Sequence, residues 1–422
     1  MYWSAKKIVN TISIYFAGRP GIWGVRLGLV AVCLYLAFIS ITENVSADTA
    51  DDDAKRQAQH FYDEGMRAVL RKDYKDALAA FERTVALDPL LADAHYRLAL
   101  LYGRQDHGKQ YQWKQAVKAL QNAIAADPNH IDAYCQLSEI YLEAMARTVD
   151  AIPLLQKAIE MDSNYASARR LLGTAYLRQK RTDEAIHELQ RAVMLNTPDT
   201  EARYTLGIAY FQGGEFEKAS QHFKAVIKQD SFHAKAHFRL GNTYLRMGRT
   251  AEGSAALQTA EKLNQEAVRI KMLKRFLGTD PIDAKAWHEL GQLLMGRQEW
   301  ATAAAAFEKY IALERQDTHS YETLGYLYFR LKNNEKADEI YSELVQRHPD
   351  AAAYRNSLGL VYAMSGKYPQ AIEAFQTAIR LKSSEPSFHL NLAKAYKFAG
   401  EGTRAETEYQ LYQRLKSQNE QR

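Results

Sequence analysis

Residues 200–233 read TEARYTLGIAYFQGGEFEKASQHFKAVIKQDSFH and contain the pattern that decides the fold. Apolar residues recur at spacings of three and four on both sides of a short polar link, Gly213-Gly214-Glu215. They are Leu206 and Tyr210 before the link, and Ala219, Phe223 and Val226 after it. Such spacing places one apolar stripe on each of two helices. The segment therefore predicts a helix–turn–helix unit of 34 residues.

The same unit recurs along most of the chain. The motif Leu206-Gly207-x-x-Tyr210 appears again 34 residues before and 34 residues after, and it returns twice in the C-terminal half; these copies start at Leu172, Leu240, Leu324 and Leu358. An Ala follows in most copies, with a Leu or an aromatic residue four positions later, as in Ala185/Leu189, Ala219/Phe223, Ala337/Tyr341 and Ala371/Phe375. A fixed period of this length indicates a repeat architecture.

The succession of an aromatic residue, Leu-Gly-x-x-Tyr, Ala-x-x-x-Phe and Pro at a 34-residue period resembles the tetratricopeptide repeat family. The resemblance covers about residues 58–419. It implies six repeats over 58–267, a helical extension or spacer over 268–283, and four repeats over 284–419. One helix pair cannot bury its apolar face alone, whereas stacked pairs can. We therefore expect an all-α fold, a right-handed α-solenoid of helix–turn–helix repeats.

Two of the units depart from the regular length. The second has five extra residues between its helices, around residues 104–110, which predicts a longer surface loop. The third carries Pro153 early in its second helix. Because proline lacks an N–H group and collides with the preceding turn, we expect that helix to kink or to begin late.

The spacer between the sixth and seventh units is expected to be helical. Asn264-Gln265 replaces the usual break, so the preceding helix should run on to about Leu277, before Gly278 and Asp280-Pro281 end it. Basic and apolar residues alternate along it, namely Arg269, Lys271, Lys274 and Arg275 with Val268, Met272, Leu273, Phe276 and Leu277. Such a segment binds anionic lipid or an acidic partner, or else packs its apolar side on the next unit. We favour packing.

An apolar segment near the N-terminus predicts export. Residues 27–41 contain no charged side chain, while four basic residues precede them and five acidic residues follow. A basic flank stays in the cytoplasm, so the rest of the chain should be translocated. Residues 1–47 are therefore interpreted as a signal peptide or a membrane anchor, and residues 48–57 as a short acidic linker. We expect the protein in the periplasm, or in the inner membrane with its body facing the periplasm.

Cleavage and anchoring both remain open for this segment. Its fifteen residues suit a signal peptide better than a membrane span, which needs about 20. Val45-Ser46-Ala47 offers a cleavage site, whereas an apolar stretch extended to residues 22–41 would anchor the chain in the membrane. The scarcity of acidic residues at the N-terminus also allows an organelle presequence.

Motifs and cysteine usage argue against an enzyme. The sequence has no Gly-x-Ser-x-Gly motif, no phosphate-binding loop and no dinucleotide fingerprint, and its two cysteines form no Cys-x-x-Cys pair. His288-Glu289 lacks the second His of a zinc-protease helix, and His233 with His237 would supply only two ligands. We expect His237, like His95 and His389, to fill a packing position. No cofactor and no metal is predicted.

Nucleic-acid binding is not expected either. The net charge is +5, of which +3 lies in residues 1–47, so the remaining chain is too close to neutral to neutralise many phosphates. Tyrosine rings could stack on single-stranded RNA. Most of them, however, occupy packing positions of the repeat and would have no free face: Tyr102, Tyr141, Tyr176, Tyr210, Tyr244, Tyr328, Tyr362 and Tyr396.

The resemblance implies a concave partner-binding surface built by the first helix of each unit. Carried over by register, its candidate residues are Arg170, Arg178, Tyr204, Phe211, Lys235, Phe238, Asn242, Arg246, Tyr326, Phe329 and Arg330. Rings beside guanidinium groups suit a peptide or helix with acidic residues, because Arg pairs with carboxylates and rings supply buried area. An ordinary solvated face is the alternative. A chaperone-type carboxylate clamp is not expected, because Arg170 and Thr174 stand where Lys and Asn are needed.

Three functions follow from this reading. The first is a non-catalytic scaffold for protein–protein interaction, exported or membrane-anchored, which binds a peptide or protein in its groove within an envelope, secretion or assembly system. The second is an accessory subunit of an enzyme that synthesises or modifies envelope polysaccharide. The third is a receptor for proteins on an organelle membrane. We favour the first, since no converging set of catalytic groups is found.

Overall fold

The structure is a computed structural model that describes residues 52–104, 112–196 and 198–420. Within these ranges the chain forms twenty α-helices and no strand, which confirms the expected all-α solenoid of helix–turn–helix repeats. The segment 1–47 and most of the loop predicted around 104–110 lie outside the described residues. None of the described helices is both long enough and apolar enough to cross a membrane.

The helices, numbered in chain order, are α1 (52–70), α2 (Tyr74–Leu87), α3 (Ala92–Tyr102), α4 (Trp113–Ala126), α5 (Ile131–Glu143), α6 (Thr148–Met161), α7 (Ala166–Arg178), α8 (Thr182–Leu195), α9 (Thr200–Gln212), α10 (Phe216–Gln229), α11 (Ala234–Arg246), α12 (Thr250–Thr279), α13 (Ala284–Gly296), α14 (Trp300–Leu313), α15 (Thr318–Arg330), α16 (Asn334–Arg347), α17 (Ala352–Met364), α18 (Tyr368–Leu381), α19 (Pro386–Phe398) and α20 (Gly402–Glu420). Each odd-numbered helix is the first helix of a unit and packs against the even-numbered one that follows it. Residues 52–57, expected to be part of a linker, instead begin α1.

A recurrent turn joins the two helices of a unit. In the fifth unit Gly214 has a φ of 78°, and the backbone N–H of Glu215 donates to the carbonyl of Tyr210 at 2.9 Å. This bond satisfies a carbonyl that the helix end would otherwise leave without a partner. Lys180, with a φ of 61°, occupies the same position of the fourth unit although a left-handed conformation favours glycine. The same turn therefore forms at this repeat position whether the residue is Gly or Lys.

A close crossing of the two helices holds each unit together. The first helix contributes the Gly of the Leu-Gly motif, and the second contributes the Leu or aromatic residue four positions after its Ala, which we call the plug residue. A methyl group added at Gly207 would lie 2.7 Å from the ring of the plug residue Phe223, and one at Gly359 would lie 2.6 Å from Phe375. The Gly thus lets the two helices approach closely, and the plug residue fills the gap between them.

The chain divides into two compact parts, an N-terminal part up to Ala225 and a C-terminal part from Val226, so the boundary along the chain falls within α10. Plug residues supply most of the large side chains that are completely buried in the N-terminal part, among them Phe81, Leu120, Leu155, Leu189 and Phe223. In the C-terminal part Phe307 and Phe375 do the same. Burial of large side chains at one repeated position, each against small residues, therefore builds the core of both parts.

Pro153 delays its helix without ending it. The link before α6 has four residues instead of three, and α6 begins at Thr148 and continues through Pro153 to Met161. The extra link residue makes α6 begin one residue later than the second helices of the regular units. The late start that the proline predicts is therefore observed.

The longest helix, α12, contains 30 residues and ends at Thr279, whereas the other second helices that lie inside the array contain 14. Its extra turns therefore span residues 264–279. Leu273 and Leu277 pack into one core with residues of α13, as expected. Val268, Met272 and Phe276 remain exposed, so the expectation that the whole apolar side packs on the next unit is wrong for these three.

The close crossing can be tested at a single methyl group. Gly359→Ala should destabilise the protein by about 1–3 kcal/mol, because the new methyl overlaps the buried Phe375 ring. Gly278→Ala is the matched control, since nothing lies within 4 Å of its added methyl; it should be neutral or slightly stabilising because Ala favours helix. Urea unfolding of both variants, followed by circular dichroism, measures the effect. Equal midpoints would contradict the role of the crossing.

Candidate functional site

Several first helices carry a side chain that contacts the link immediately before them, and three of these side chains are histidines. The Nε2 atom of His237 lies 3.0 Å from the carbonyl oxygen of Ser231, six residues earlier in the chain. Equivalent contacts join His95 to Pro89, Arg169 to Ser163, Trp287 to Pro281 and His389 to Ser383. His237 thus fills the packing position that the sequence predicts. Among the described residues, no group of three potential ligands could hold a metal ion.

The repeated tyrosines likewise bind the units to one another. Gln190 donates to the Tyr210 hydroxyl at 2.6 Å, and Gln376 donates to the Tyr396 hydroxyl at 2.8 Å; each glutamine belongs to the second helix of the preceding unit. Six of the eight rings are buried and two are half-buried; the half-buried rings are Tyr102 and Tyr362. These rings therefore offer no stacking platform, as expected.

In the N-terminal part, two predicted groove arginines are engaged within the array. The Arg170 guanidinium lies 3.8 Å from Glu139 and 4.0 Å from Asp199. Arg178 donates to the carbonyl of Leu142 and to the carboxylate of Glu143, at the end of α5. The guanidinium groups thus connect neighbouring first helices, and they do not present free positive charge as the sequence reading assumed.

Arg170 lines a polar cleft of about 390 Å³ formed by residues of α5, α7 and α9. Four carboxylates line it, against the one guanidinium group of Arg170; they belong to Glu139, Glu143, Asp199 and Glu201. The cleft is therefore acidic on balance, and the expectation of an acidic partner is not supported here.

The two predicted aromatic residues of α9 also lie deeper than expected. Tyr204 is only 8% exposed, and its ring centroid lies 5.8 Å from that of the plug residue Phe223. Its inclusion among exposed contact residues is therefore wrong, because the ring is part of the packed crossing. Phe211 is half-buried and meets Phe216 edge-on at 5.4 Å. The periodicity of the sequence placed both residues on the correct face of α9. It could not show how much of that face the neighbouring helix covers.

In the C-terminal part, the predicted residues of α11 are largely exposed. The Phe238 ring is 49% exposed, and the amide of Asn242 donates to its backbone carbonyl at 3.0 Å. Lys235 and Arg246 are exposed on either side and form no ion pair within the part of the chain that the structure describes. This helix therefore presents an open ring between two unpaired cations.

A compact aromatic and cationic cluster lies where the first residue of α14 is close to the last turn of α15. The guanidinium carbon of Arg330 lies 4.9 Å from the centre of the Trp300 ring and 5.9 Å from that of Tyr326. Tyr326 is 41% exposed, and Arg330 is exposed as well. Phe329, predicted beside them, is half-buried and packs against the core. The structure thus brings Tyr326 and Arg330 together and adds Trp300, which the sequence reading missed.

A signal for Trp300 exists in the repeat itself. An aromatic residue opens the second helix of several units, immediately after the short link; examples are Tyr74, Trp113, Phe216, Trp300 and Tyr368. This position lies close to the end of the next first helix, and Tyr368 stacks on Phe398 at 5.8 Å in the same way. Attention to second-helix residues at this position would have found the cluster.

The one described cysteine is not a nucleophile. Cys135 occupies the groove-facing position of α5 but is buried. Burial raises the pKa of its thiol to about 12, and the nearby carboxylates of Asp132 and Glu139 act in the same direction. Because the thiolate is the reactive form, the thiol is inert near neutral pH.

Alkylation kinetics check this assignment. In a Cys33→Ser background, iodoacetamide at pH 8 should modify native Cys135 more than about 100-fold more slowly than the same chain in denaturant, because the raised pKa leaves almost no thiolate. Mass spectrometry follows the reaction. Modification of the native protein at the rate of a free thiol would overturn the assignment.

Comparison with protein families agrees with this geometry. A family described as Tetratricopeptide repeat matches residues 62–107, 239–318, 322–386 and 365–420, which together exceed half of the chain. Further tetratricopeptide repeat families match residues 93–130, 144–204 and 207–248.

Individual proteins are similar over shorter stretches. The general transcriptional corepressor trfA of Dictyostelium discoideum is 23% identical over 124 residues, which is 29% of this chain and only 9% of that protein. A crystal structure of MamA is 28% identical and covers 37% of this chain and 91% of its own, with a TM-score of 0.35. YrrB, a TPR protein with an unusual peptide-binding site, is 25% identical and covers 44% and 92%, with a TM-score of 0.37. A tetratricopeptide repeat protein from Parabacteroides merdae is 16% identical and covers 64% and 98%, with a TM-score of 0.41.

Proposed function

The chain belongs to the tetratricopeptide repeat family, and we propose that it is a non-catalytic scaffold that holds a protein partner on the exposed face of its first helices. Members of this family are generally protein-interaction scaffolds. The described residues contain no cluster of three potential metal ligands, and their cysteine is inert. Binding by surface complementarity is the function that such a set of side chains can perform.

The cluster of Trp300, Tyr326 and Arg330 carries the proposal. Trp, Tyr and Arg are the residue types that dominate binding energy at protein interfaces. Here the guanidinium is held over the Trp300 ring before any partner arrives, so less side-chain freedom is lost on binding. Its charge also remains available, because no carboxylate pairs with Arg330 among the described residues.

We further propose that the scaffold works outside the cytoplasm, in a bacterial cell envelope. The support is the charge step around residues 27–41, with basic residues before the apolar segment and acidic ones after it. Placed in the periplasm or held at the inner membrane, the repeat array would organise an export, secretion or assembly system.

Mutation of the cluster tests partner binding. Tyr326→Ala combined with Arg330→Ala should reduce partner affinity by about 30-fold or more, since truncating one such anchor costs about 2 kcal/mol. The measurement is quantitative mass spectrometry of proteins that co-purify with the tagged full chain from its native cells. Lys309→Ala combined with Glu339→Ala, exposed on second helices, is the matched control and should retain the partner. Unchanged recovery with the cluster variant would refute this binding face.

A reporter fusion tests the compartment. Alkaline phosphatase, which is active only after translocation, should be active when joined after residue 60 in a bacterial host, because the basic flank keeps the N-terminus inside. Reversing the charge step, with Lys6, Lys7, Arg19 and Arg26 all changed to Glu, should abolish that activity. A parent fusion that is active only with a cytoplasmic reporter would contradict the proposal.

A further inference from the structure

In the regular units of the C-terminal part, each plug residue is covered by the first helix of the next unit. Phe375 packs in one core with Leu392 and Ala395 of α19, and the neighbouring Ala378 packs with Phe388 of the same helix. Phe307 and Tyr341 are buried in the same way, in a core shared with the helices that follow them. A helix therefore always lies across this position where the 34-residue period is kept.

The sixth unit is the exception within the array. Its plug residue Leu257 is only half-buried, and Phe238 on its first helix is the most open of the residues at that repeat position in the described units. The next first helix, α13, shares a core with Ile270, Leu273 and Leu277, which lie far along the extended end of α12. In the tenth unit the plug residue Tyr409 is likewise exposed, at 41%.

The place left open is a cleft of about 690 Å³ between α11 and α12. Its apolar lining consists of Phe238, Leu257, Ala260, Val268 and Met272. Four of them, Leu257, Ala260, Val268 and Met272, lie on α12 at successive spacings of three, eight and four, so they share one face of that helix. From residue 257 to residue 276 this face extends for about 29 Å. Its shape and length match those of one helix.

The face is distinct from the side of α12 that packs on α13. Ile270, Leu273 and Leu277 point into that core, whereas Met272 is 58% exposed and Phe276 is exposed beside it. The extension thus carries two apolar faces, one covered and one open. Keeping large apolar side chains in contact with water costs about 25 cal/mol per Å², so a partner surface that covers them gains that free energy.

Charge around the cleft is positive. Lys271 and Arg275 lie within four residues of Met272 on α12, and Lys235 and Arg246 lie on α11 with Phe238; all four are exposed, and none forms an ion pair within the described residues. Arg269, by contrast, is paired with Glu289 of α13 at 2.6 Å. Glu261 is the one acidic residue in the lining. An occupant with carboxylates along its edges complements this arrangement.

We propose that the α11–α12 cleft is the docking site for an amphipathic α-helix of another protein, apolar on one face and acidic along its edges. The inference rests on the proposed scaffold function and assigns it a second, separate binding site. A helix in a groove presents anchors at spacings of three and four, which is how first helices contact the preceding unit elsewhere in this array. A second copy of the chain fits less well: its exposed terminal helix α20 carries three basic and three acidic residues.

A designed peptide tests the site on the purified full chain. The probe is a fluorescein-labelled helix of about 20 residues that repeats the buried face of α19, namely Phe388, Leu392, Ala395 and Tyr396, with Glu at the remaining positions. Fluorescence anisotropy should show saturable binding that weakens as salt is added. Phe238→Asp and Met272→Asp, at the two ends of the cleft, should each weaken binding by about tenfold or more.

Matched controls separate the outcomes. Met194→Asp, an exposed position on α8, should leave peptide binding unchanged, and a peptide with Lys in place of Glu should bind about tenfold more weakly or not at all. Lack of binding by the acidic peptide, equal binding of both peptides, or full binding by Met272→Asp overturns the proposal. Self-association of the chain that Met272→Asp abolishes would assign the cleft to a second copy and equally overturns it. If the peptide fails while the Tyr326 and Arg330 variant still loses its partner, only the cleft is misassigned.

Discussion

The whole structure depends on the burial of each plug residue between two helices, the first helix of its own unit and the first helix of the next unit. The first helix of its own unit offers a glycine, as Gly359 does to Phe375, and the next unit lays a whole helix across the other side. Neither contact suffices alone, because a single helix pair leaves its apolar face in water. Hydrogen bonds then fix each neighbour in place: residues such as His237 contact the carbonyl six residues earlier in the link, and tyrosine hydroxyls accept from the preceding unit, as Tyr396 does from Gln376.

The same constraint explains where the molecule can bind. Sixteen additional residues in α12 move α13 along that helix and leave the sixth unit without its cover. The open ring of Phe238 and the apolar face around Met272 follow from this displacement. In the fourth unit the period is kept, and Arg170 and Arg178 are paired with carboxylates of the neighbouring helix α5. Interruption of the period thus adds the side chains around Phe238 and Met272 to those of Tyr326 and Arg330, which are exposed in a unit that keeps the period.

Much of the fold could be predicted from the sequence, because the plug residues, glycines and tyrosines repeat with the same period as the contacts they make. The helical continuation past Asn264 was predictable for the same reason, since the usual break is missing there. The contacts that individual side chains make were harder to predict from the sequence. Periodicity places Arg178 and Tyr204 on the correct face, but the carboxylate and the ring that engage them belong to other helices. Trp300 was missed because the family register directs attention to first helices only.

Removal of the extra turns tests the account most directly. Deleting residues 264–279 joins Leu263 to the Asp280-Pro281 break and restores the 34-residue period. In a chain whose native cysteines are replaced by Ser, alkylation of Phe238→Cys reports whether the cleft is open. The account predicts fast modification in the full-length chain and a rate lowered by about tenfold or more in the deletion variant, because helix 284–296 then covers the sixth unit. An equally fast reaction in both chains would contradict it.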